Sequence, residues 1–186
     1  MRIFISGGCK NGKSTMAQKI SIAQKKEAQP LYYVATMEPV DSEDEERILR
    51  HRRERHGQGF LTLEYAKNIG DLLLHAKKEG SFLLDSTTAL LANEMFGTAE
   101  IDLEAEHRIQ EDLVTIFHSI ENIVVVSDAI YSDAHLFDAT TKAYQQSLGH
   151  LDQICAAHCD VVLEMAYGNV FVHKGGDLFA SIADRL

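Results

Sequence analysis

The stretch Gly7-Gly8-Cys9-Lys10-Asn11-Gly12-Lys13-Ser14 directly follows a short apolar run, Arg2 to Ser6, at the start of the chain. It matches the Walker A pattern of glycine, four residues and Gly-Lys-Ser at every position. Gly7 and Gly12 allow backbone conformations and close approaches that a Cβ would block, so successive N–H groups can point at phosphate oxygens. The stretch therefore predicts a phosphate-binding loop between a strand and a helix that begins near Lys13.

Two residues of this loop carry specific expectations. Lys13 should reach the β- and γ-phosphates of a nucleotide, and the Ser14 hydroxyl should bind Mg²⁺ together with phosphate oxygens and water. An acidic residue is also needed near the metal, and Asp85 closes the apolar run Phe82 to Asp85. Asp85 is a candidate metal ligand, although an aspartate at this position could also cap the next helix. Asp128, after a later run, is a second and weaker candidate.

Seven short apolar runs rich in β-forming residues predict strands. They are Arg2 to Ser6, Leu31 to Thr36, Phe60 to Glu64, Phe82 to Asp85, Ile123 to Ser127, Val161 to Met165 and Val170 to His173. Segments with helical periodicity lie between most of them: Lys13 to Lys26, Ser42 to Arg55, Ile69 to Glu79, Thr87 to Phe96, Leu103 to Ile120 and Ala139 to Ala157. Strands that alternate with helices imply a mostly parallel sheet covered on both faces.

The order of elements defines the expected fold. With the Walker A pattern, the alternation predicts a three-layer α/β fold of the P-loop NTPase (RecA-like) class. The last two runs are separated only by Ala166-Tyr167-Gly168-Asn169, so they should form an antiparallel hairpin at the edge of the sheet. Ser42-Glu43-Asp44-Glu45 fits a capping box at the start of the second helix.

The length, composition and net charge of the chain exclude several classes of protein. The chain has 186 residues, 45% of them apolar, and no linker or repeat, so residues 1–186 are expected to form a single nucleotide-binding domain. With 18 basic against 28 acidic residues the net charge is −10, which argues against binding nucleic acid through bulk charge. Neither a secretory signal nor a membrane-spanning run is found, so a cytoplasmic protein without membrane insertion is expected. Three cysteines in such a chain argue against a disulfide framework.

A basic segment follows four consecutive acidic residues. Five arginines fall within the nine residues 47–55, and they surround His51. Part of the segment can be a solvated helix face, because Glu43 with Arg47 and Glu46 with Arg50 are favourable i,i+4 pairs. The later arginines have few acidic neighbours, and guanidinium groups suit bidentate phosphate binding. Neighbouring cations would also favour the neutral, nucleophilic imidazole.

These residues resemble the bifunctional adenosylcobinamide kinase / adenosylcobinamide-phosphate guanylyltransferase of cobalamin assembly. The similarity spans roughly the first hundred residues. It rests on Ile5-Ser6-Gly7-Gly8 with Gly12-Lys13-Ser14, on Tyr33-Val34-Ala35-Thr36, on Glu46-Arg47-Ile48 with His51 and Arg55, on Thr62 and Glu64, on Leu84-Asp85 with Thr88, and on Asn93. Its discriminating part is the Ala-Thr strand end followed by Arg-Ile-x-x-His-x-x-x-Arg.

The resemblance implies two reactions on one scaffold. GTP or ATP would phosphorylate the aminopropanol hydroxyl of adenosylcobinamide, and GMP would then pass from GTP to that phosphate through a GMP-histidine intermediate at His51. Lys13 and Mg²⁺ would assist both steps. Family positions that contact the guanine nucleotide correspond here to Ala35, Thr36, Met37, Arg52, Arg53, Glu54, Arg55, Glu64 and Asp85. A carboxylate such as Glu64 suits guanine because it can accept hydrogen bonds from N1–H and the exocyclic amine.

The second half of the chain departs from the family pattern. The family's Thr-Asn-Glu-Val-Gly is replaced by Ser127-Asp128-Ala129-Ile130-Tyr131, and its Arg-x-Phe-Arg-Asp helix by Lys142-Ala143-Tyr144-Gln145-Gln146. Asp152 stands where the family has asparagine, and His56 where it has proline. The resemblance implies that the second half of the chain helps to hold the corrinoid and to shape the acceptor side, which is where most of these changes fall.

Two other functions are compatible with the same motifs. A P-loop small-molecule kinase would transfer a γ-phosphate with His51 merely structural, and a non-catalytic GTP-binding regulator would bind nucleotide without turnover. The resemblance also implies a homo-oligomer, with a trimer as the candidate.

Overall fold

A computed structural model of the protein describes residues 1–132 and 137–186. All seven predicted strands are confirmed, at Arg2–Gly7 (β1), Leu31–Ala35 (β2), Phe60–Glu64 (β3), Ser81–Asp85 (β4), Asn122–Val126 (β5), Val161–Ala166 (β6) and Asn169–Lys174 (β7). They form one sheet in the order β3-β2-β4-β5-β1-β6-β7, and only the β6–β7 pair is antiparallel. The predicted α/β class is therefore confirmed.

Seven α-helices accompany the sheet in the described parts of the chain. They are Lys13–Gln24 (α1), Ser42–Arg55 (α2), Leu72–His75 (α3), Thr87–Phe96 (α4), Ala105–Ser119 (α5), Ala139–His158 (α6) and Gly176–Ala183 (α7), with short 3₁₀ turns at Ile69–Asp71 and Ile130–Ser132. Helices α4, α5 and α6 pack over one face of the sheet, while α1 and α7 pack over the other. Two apolar cores result, one on each face.

The central strands are apolar on both faces because both faces are covered. Phe82, Leu83 and Leu84 of β4 are all fully buried, as expected for a parallel strand between two helical layers. The hairpin prediction is also confirmed: β6 and β7 are joined by Tyr167 and Gly168, which both have positive φ, at 52° and 76°. Such a pair is typical of a tight two-residue hairpin turn.

Two local predictions are wrong, and one helix was missed. The segment Ile69 to Glu79 is not one helix, because the helical backbone ends at Ala76, which adopts an extended conformation (φ −105°, ψ 148°). The cap of α2 is Asp41 rather than Ser42: the Asp41 side chain accepts a hydrogen bond from Asp44 N at 2.9 Å. Helix α7 was not predicted. It begins after Gly175, whose left-handed conformation (φ 74°) provides a turn into the helix.

Candidate active site

The phosphate loop, residues 7–14, lies at the carboxyl end of β1. Gly7 has φ 145°, and a Cβ there would collide with the carbonyl oxygen of Met165 on β6. Gly12 is the N-cap of α1 in a left-handed conformation, and no side chain caps the helix. The free N–H groups of the first turn are thus available to an anion, which the helix dipole also favours. The loop has the form that phosphate binding requires.

Lys13 is buried at the centre of this loop. Its Nζ donates to the carbonyl oxygens of Gly7 at 3.0 Å and Gly8 at 2.6 Å. It also forms an ion pair with Asp128 Oδ1 at 2.7 Å. Asp128 is held in place by its own N–H, which donates to Thr88 Oγ1 at 2.9 Å. Within residues 1–132 and 137–186, Asp128 is the one carboxylate in ion-pair contact with Lys13.

Asp85 faces a different neighbourhood. Tyr33 Oη donates to Asp85 Oδ2 at 2.9 Å, and the same oxygen is 3.9 Å from His51 Nδ1. The alternative of a helix cap does not apply to Asp85, because Ser86 is the N-cap of α4 and accepts a hydrogen bond from Ala89 N. Asp85 therefore belongs with His51, and Asp128 belongs with Lys13.

His51 lies in a cavity of about 540 Å³ between α2 and the carboxyl ends of β2, β3 and β4, called here the α2 pocket. Burial, with smaller contributions from Arg47 and Arg55, lowers the pKa of His51 below its ordinary value, although Asp85 and Glu54 oppose this shift. The imidazole is consequently neutral at pH 7. A neutral ring can act as a nucleophile, whereas an imidazolium cannot.

Arg55 is the buried charge of this pocket. Only 6% of its surface is exposed, and its Cζ lies 3.3 Å from the centroid of the Tyr33 ring. Nη1 of Arg55 is buried without a hydrogen-bond partner among the described residues. Arg52 also lines the pocket and donates to Glu64 Oε1 at 2.6 Å. The pocket thus offers guanidinium donors to an anion.

The structure brings together most of the residues that are predicted to contact the guanine nucleotide. His51 shares the α2 pocket with Ala35, Met37, Arg52, Arg55, Glu64 and Asp85. Thr36, Arg53 and Glu54 do not line it. Thr36 is buried, and its Oγ1 accepts a hydrogen bond from Ser86 N at 2.7 Å. This bond joins the residues that follow β2 and β4, next to the pocket. Asn93 supports the same turn by donating to Thr36 O at 2.6 Å.

Tyr33 is a site residue that sequence reasoning missed. An aromatic residue inside an apolar strand is usually core, and burial raises the pKa of Tyr33 far above its ordinary value, with Asp85 adding to the shift. A signal was present in the sequence. The Tyr33 hydroxyl lies two residues before the end of β2, and the strands on either side of β2 end in Glu64 and Asp85. Tyr33 joins the two functional side chains, Asp85 by a hydrogen bond and Arg55 by stacking.

The fold and the phosphate loop place the chain in the RecA-like class of P-loop proteins. Similar solved structures agree. A solved ATPase domain superposes with a TM-score of 0.53 at 11% identity, over 94% of this chain and 77% of that one. The KaiC-like protein PH0186 from Pyrococcus horikoshii OT3 gives a TM-score of 0.51 at 13% identity, over 93% and 78%. At such identities these proteins share the fold alone.

The particular family is given by the sequence over nearly its whole length. Residues 3–172 match the family described as cobinamide kinase / cobinamide phosphate guanyltransferase, and the chain belongs to it. The family consists of bifunctional kinases and nucleotidyltransferases of cobalamin biosynthesis that act on a corrinoid. Among curated proteins no match is found. None of the helices in the described parts of the chain combines the length and the apolar composition that spanning a bilayer requires.

Proposed function

We propose that this chain phosphorylates adenosylcobinamide and then transfers GMP from GTP to the resulting phosphate through a phosphoramidate on His51. The observation that carries the proposal is the placement of a half-buried imidazole beside the Asp85 carboxylate in the α2 pocket, which three arginines also line. A kinase with no covalent step would need no nucleophile there. The family match supplies the substrate class, a corrinoid.

The guanylyl step uses His51 as the nucleophile. Asp85 faces Nδ1, so a proton on Nδ1 is oriented toward the carboxylate and Nε2 keeps its lone pair. Nε2 attacks the α-phosphorus of GTP, a P–N bond forms, and the P–O bond to the β-phosphate breaks with release of pyrophosphate. An oxygen of the corrinoid phosphate then attacks the same phosphorus, and the P–N bond breaks. Asp85 stabilises the positive charge that the ring carries in between.

Arginines neutralise the phosphates in this step. Arg55 has an unpartnered, buried Nη1 that can donate to an α-phosphate oxygen, and its stacking on Tyr33 fixes the direction of the guanidinium plane. Arg52 is exposed and bonded to Glu64, so it can exchange that partner for a phosphate oxygen. Glu64 is then free to accept hydrogen bonds from guanine, beside Ala35 and Met37. This exchange would couple base recognition to phosphate recognition.

The kinase step uses the phosphate loop. The backbone N–H groups of the loop and of the first turn of α1 would bind the β- and γ-phosphates, and Lys13 would leave Asp128 to bind them. Mg²⁺ would supply charge neutralisation of the leaving group, with the Ser14 hydroxyl as one hard oxygen ligand. Of the two candidate carboxylates, Asp128 lies beside Lys13, whereas Asp85 is engaged by Tyr33. We therefore assign the carboxylate of the kinase step to Asp128, and Asp85 to the guanylyl step.

Intact-protein mass spectrometry after incubation with GTP and Mg²⁺, without an acceptor, tests the covalent step. The expected result is an acid-labile adduct of one GMP on the wild type and none on His51→Ala. His56→Ala is the matched control, because His56 ends the same helix but does not line the α2 pocket. Loss of the adduct in both variants, or an adduct on His51→Ala, would refute the assignment of His51.

A further inference from the structure

Helix α4 carries two polar residues, Thr88 and Asn93, that lie outside both the phosphate loop and the lining of the α2 pocket. The helix follows β4 directly and begins after its N-cap, Ser86. Thr88 and Asn93 are five residues apart, so their side chains leave the helix in directions about 140° apart. Their hydrogen bonds accordingly reach two different parts of the molecule.

Thr88 supports the segment that carries Asp128. After β5, the N–H groups of the residues on either side of Asp128 donate to carbonyl oxygens of β1, both at 3.0 Å, and continue the pairing of these two strands. The N–H of Asp128 points to the other side, where β4 has already ended at Asp85. Thr88 Oγ1 accepts this N–H at 2.9 Å and takes the place of a strand carbonyl. The hydroxyl therefore fixes the backbone from which the Asp128 carboxylate reaches Lys13.

The position of Asp128 matters because its cationic partner is buried. The side chain of Lys13 is 5% exposed, and its Nζ lies 2.7 Å from Asp128 Oδ1. A buried ion pair depends on good geometry, since displacement of one charge leaves the other uncompensated. Valine in place of Thr88 would keep the shape of the side chain but leave the Asp128 N–H without its acceptor. The carboxylate would then be held less firmly against Lys13.

Asn93 joins two strand ends that border the α2 pocket. Its Nδ2 donates to Thr36 O at 2.6 Å and to Ala66 O at 3.1 Å. These carbonyls lie just beyond β2 and β3, which end in the pocket residues Ala35 and Glu64. The amide nitrogen has to face both carbonyl oxygens, because an amide oxygen in its place would repel them. Asn93 therefore sets the spacing of the two strand ends at the pocket.

Helix α4 can hold both regions because the helix itself is fixed. Leu90, Leu91 and Met95 are fully buried in the core. Tyr144 Oη of α6 donates to the carbonyl oxygen of Thr88 at 2.8 Å and so ties down the first turn. Because close-packed cores resist displacement, α4 is a rigid support for the side chains that it presents to the sheet.

We propose that Thr88 is a positioning residue of the kinase step, acting through Asp128, and that Asn93 is a positioning residue of the guanylyl step, acting through the ends of β2 and β3. The inference rests on the proposed function for the division of the two reactions between the phosphate loop and the α2 pocket. It adds the element that holds the two regions, one helix with a separate contact to each. Each contact should therefore be removable with loss of one reaction only.

Steady-state kinetics of γ-phosphate transfer from ATP to cobinamide test the role of Thr88. Thr88→Val is expected to lower kcat about tenfold, the effect of one lost hydrogen bond, whereas Thr88→Ser keeps the hydroxyl and should retain most of the activity. In an Asp128→Asn background, Thr88→Val should cause little further loss, because both changes act on the same ion pair. Thr115→Val is the control, since the Thr115 hydroxyl is exposed on α5 and donates to Glu111 O. Losses that multiply in the double variant would overturn the role of Thr88.

The rate of GMP adduct formation at varied GTP concentration tests the role of Asn93. Asn93→Ala removes both donors, and Asn93→Asp replaces them with a carboxylate of similar shape. Both variants should raise the KM for GTP about tenfold and leave the maximal rate nearly unchanged, because His51 and Asp85 stay in place. The KM for ATP in cobinamide phosphorylation should not change. Asn169→Ala is the control, since it removes an amide at the opposite edge of the sheet.

The outcomes separate this inference from the proposed function. If the wild type carries out both reactions but Thr88→Val or Asn93→Ala slows the two reactions equally, the positioning role of that residue is overturned and the proposed function stands. An unchanged KM for GTP in both Asn93 variants would likewise overturn the role of Asn93 alone. If the wild type forms no adduct, the guanylyl step of the proposed function fails, and the role of Asn93 fails with it.

Discussion

The phosphate loop and the α2 pocket both present positive groups to phosphates, but they are built in opposite ways. In the loop, consecutive residues offer backbone N–H groups, and the buried cation, Lys13, is held by Asp128 and two carbonyl oxygens. In the α2 pocket, side chains converge from α2, β2, β3 and β4. A backbone cradle can bind the phosphates of different nucleotides, whereas a pocket of side chains can hold a nucleophile in one orientation. The difference supports the proposal that direct phosphoryl transfer takes place at the loop and covalent transfer in the pocket.

The largest expected effect is that of removing His51, which should stop the reaction of the α2 pocket and leave that of the phosphate loop intact. His51→Ala should reduce formation of the GMP adduct by at least about 10⁴-fold, because the nucleophile itself is lost. Phosphorylation of cobinamide by the same variant should continue, since none of the described residues that line the α2 pocket belongs to the phosphate loop. Both activities are measured on one preparation, by mass spectrometry for the adduct and by radiolabelled γ-phosphate transfer for the kinase. A parallel fall in both activities in a folded variant would mean that the two regions act as one.

Substitution of Lys13 in the phosphate loop should impair both reactions, although by different factors. Lys13→Ala is expected to lower γ-phosphate transfer about 10²- to 10³-fold, the usual effect of removing a charge that stabilises transferring phosphates. Adduct formation should fall by a smaller factor, because the α-phosphate is held in the α2 pocket while the loop assists only the distal phosphates. The ratio of the loss in γ-phosphate transfer to the loss in adduct formation, taken from the same assays, shows how strongly GTP bound in the α2 pocket also contacts the phosphate loop. Equal losses would show that GTP uses the loop fully in both reactions.

A pair of substitutions at the Asp85 carboxylate tests the interior of the pocket. Asp85→Asn should slow adduct formation about 30-fold, because the ring loses the anion that orients it and stabilises its positive charge. Tyr33→Phe removes only the hydroxyl, keeps the ring under Arg55, and should slow the step no more than about tenfold, the equivalent of one hydrogen bond. Rapid-quench measurements of the adduct would give both rates. If Asp85→Asn abolished γ-phosphate transfer instead, Asp85 would belong to the metal site of the loop.

The smallest expected effect is that of pH. Because burial lowers the pKa of His51 below its ordinary 6.5, the ring is mostly neutral from pH 6.5 upward. The rate of adduct formation should change by less than about twofold between about pH 6.5 and 8, and it should fall as the pH drops through the lowered pKa and the ring becomes protonated. The rate is measured at saturating GTP across this range. A rate that still rises steeply above neutral pH would show that a protonated ring is the resting state.

The same contrast explains what could be predicted from the sequence. The loop was predicted residue by residue because its function depends on a contiguous pattern of glycines, Lys13 and Ser14. The seven strands were predicted because apolar runs bounded by turn residues leave few alternatives. The members of the α2 pocket were predicted mainly through the family resemblance, since residues 35, 51, 64 and 85 are far apart in the chain. The sheet register aligns residues 35, 64 and 85, and the packing of α2 adds residue 51.

The errors have physical causes. The segment Ile69 to Glu79 has helical periodicity, but after Ala76 the chain makes tertiary and turn contacts instead. Lys77 N donates to Tyr32 Oη at 3.2 Å, and Gly80 N donates to Lys77 O at 2.9 Å in the turn that leads into β4. Helix α7 was missed because its N-cap and its first residue are both glycines, Gly175 and Gly176, and glycine in sequence usually marks the end of a helix rather than its beginning. The contact between Lys13 and Asp128 depends on β5 lying beside β1, and the order of strands in a sheet is a tertiary property.

The buried guanidinium of Arg55 makes the thermal stability of the protein depend on anion binding in the α2 pocket. One of its nitrogens is shielded from water and makes no hydrogen bond with the described residues, which costs free energy of folding. An anion that reaches this nitrogen binds the folded chain and not the unfolded one, so it raises the melting temperature by mass action, with a gain of about 2.7 kcal/mol at about one hundred times its Kd. The melting temperature of this protein should therefore depend on the concentrations of phosphate and guanine nucleotides around it.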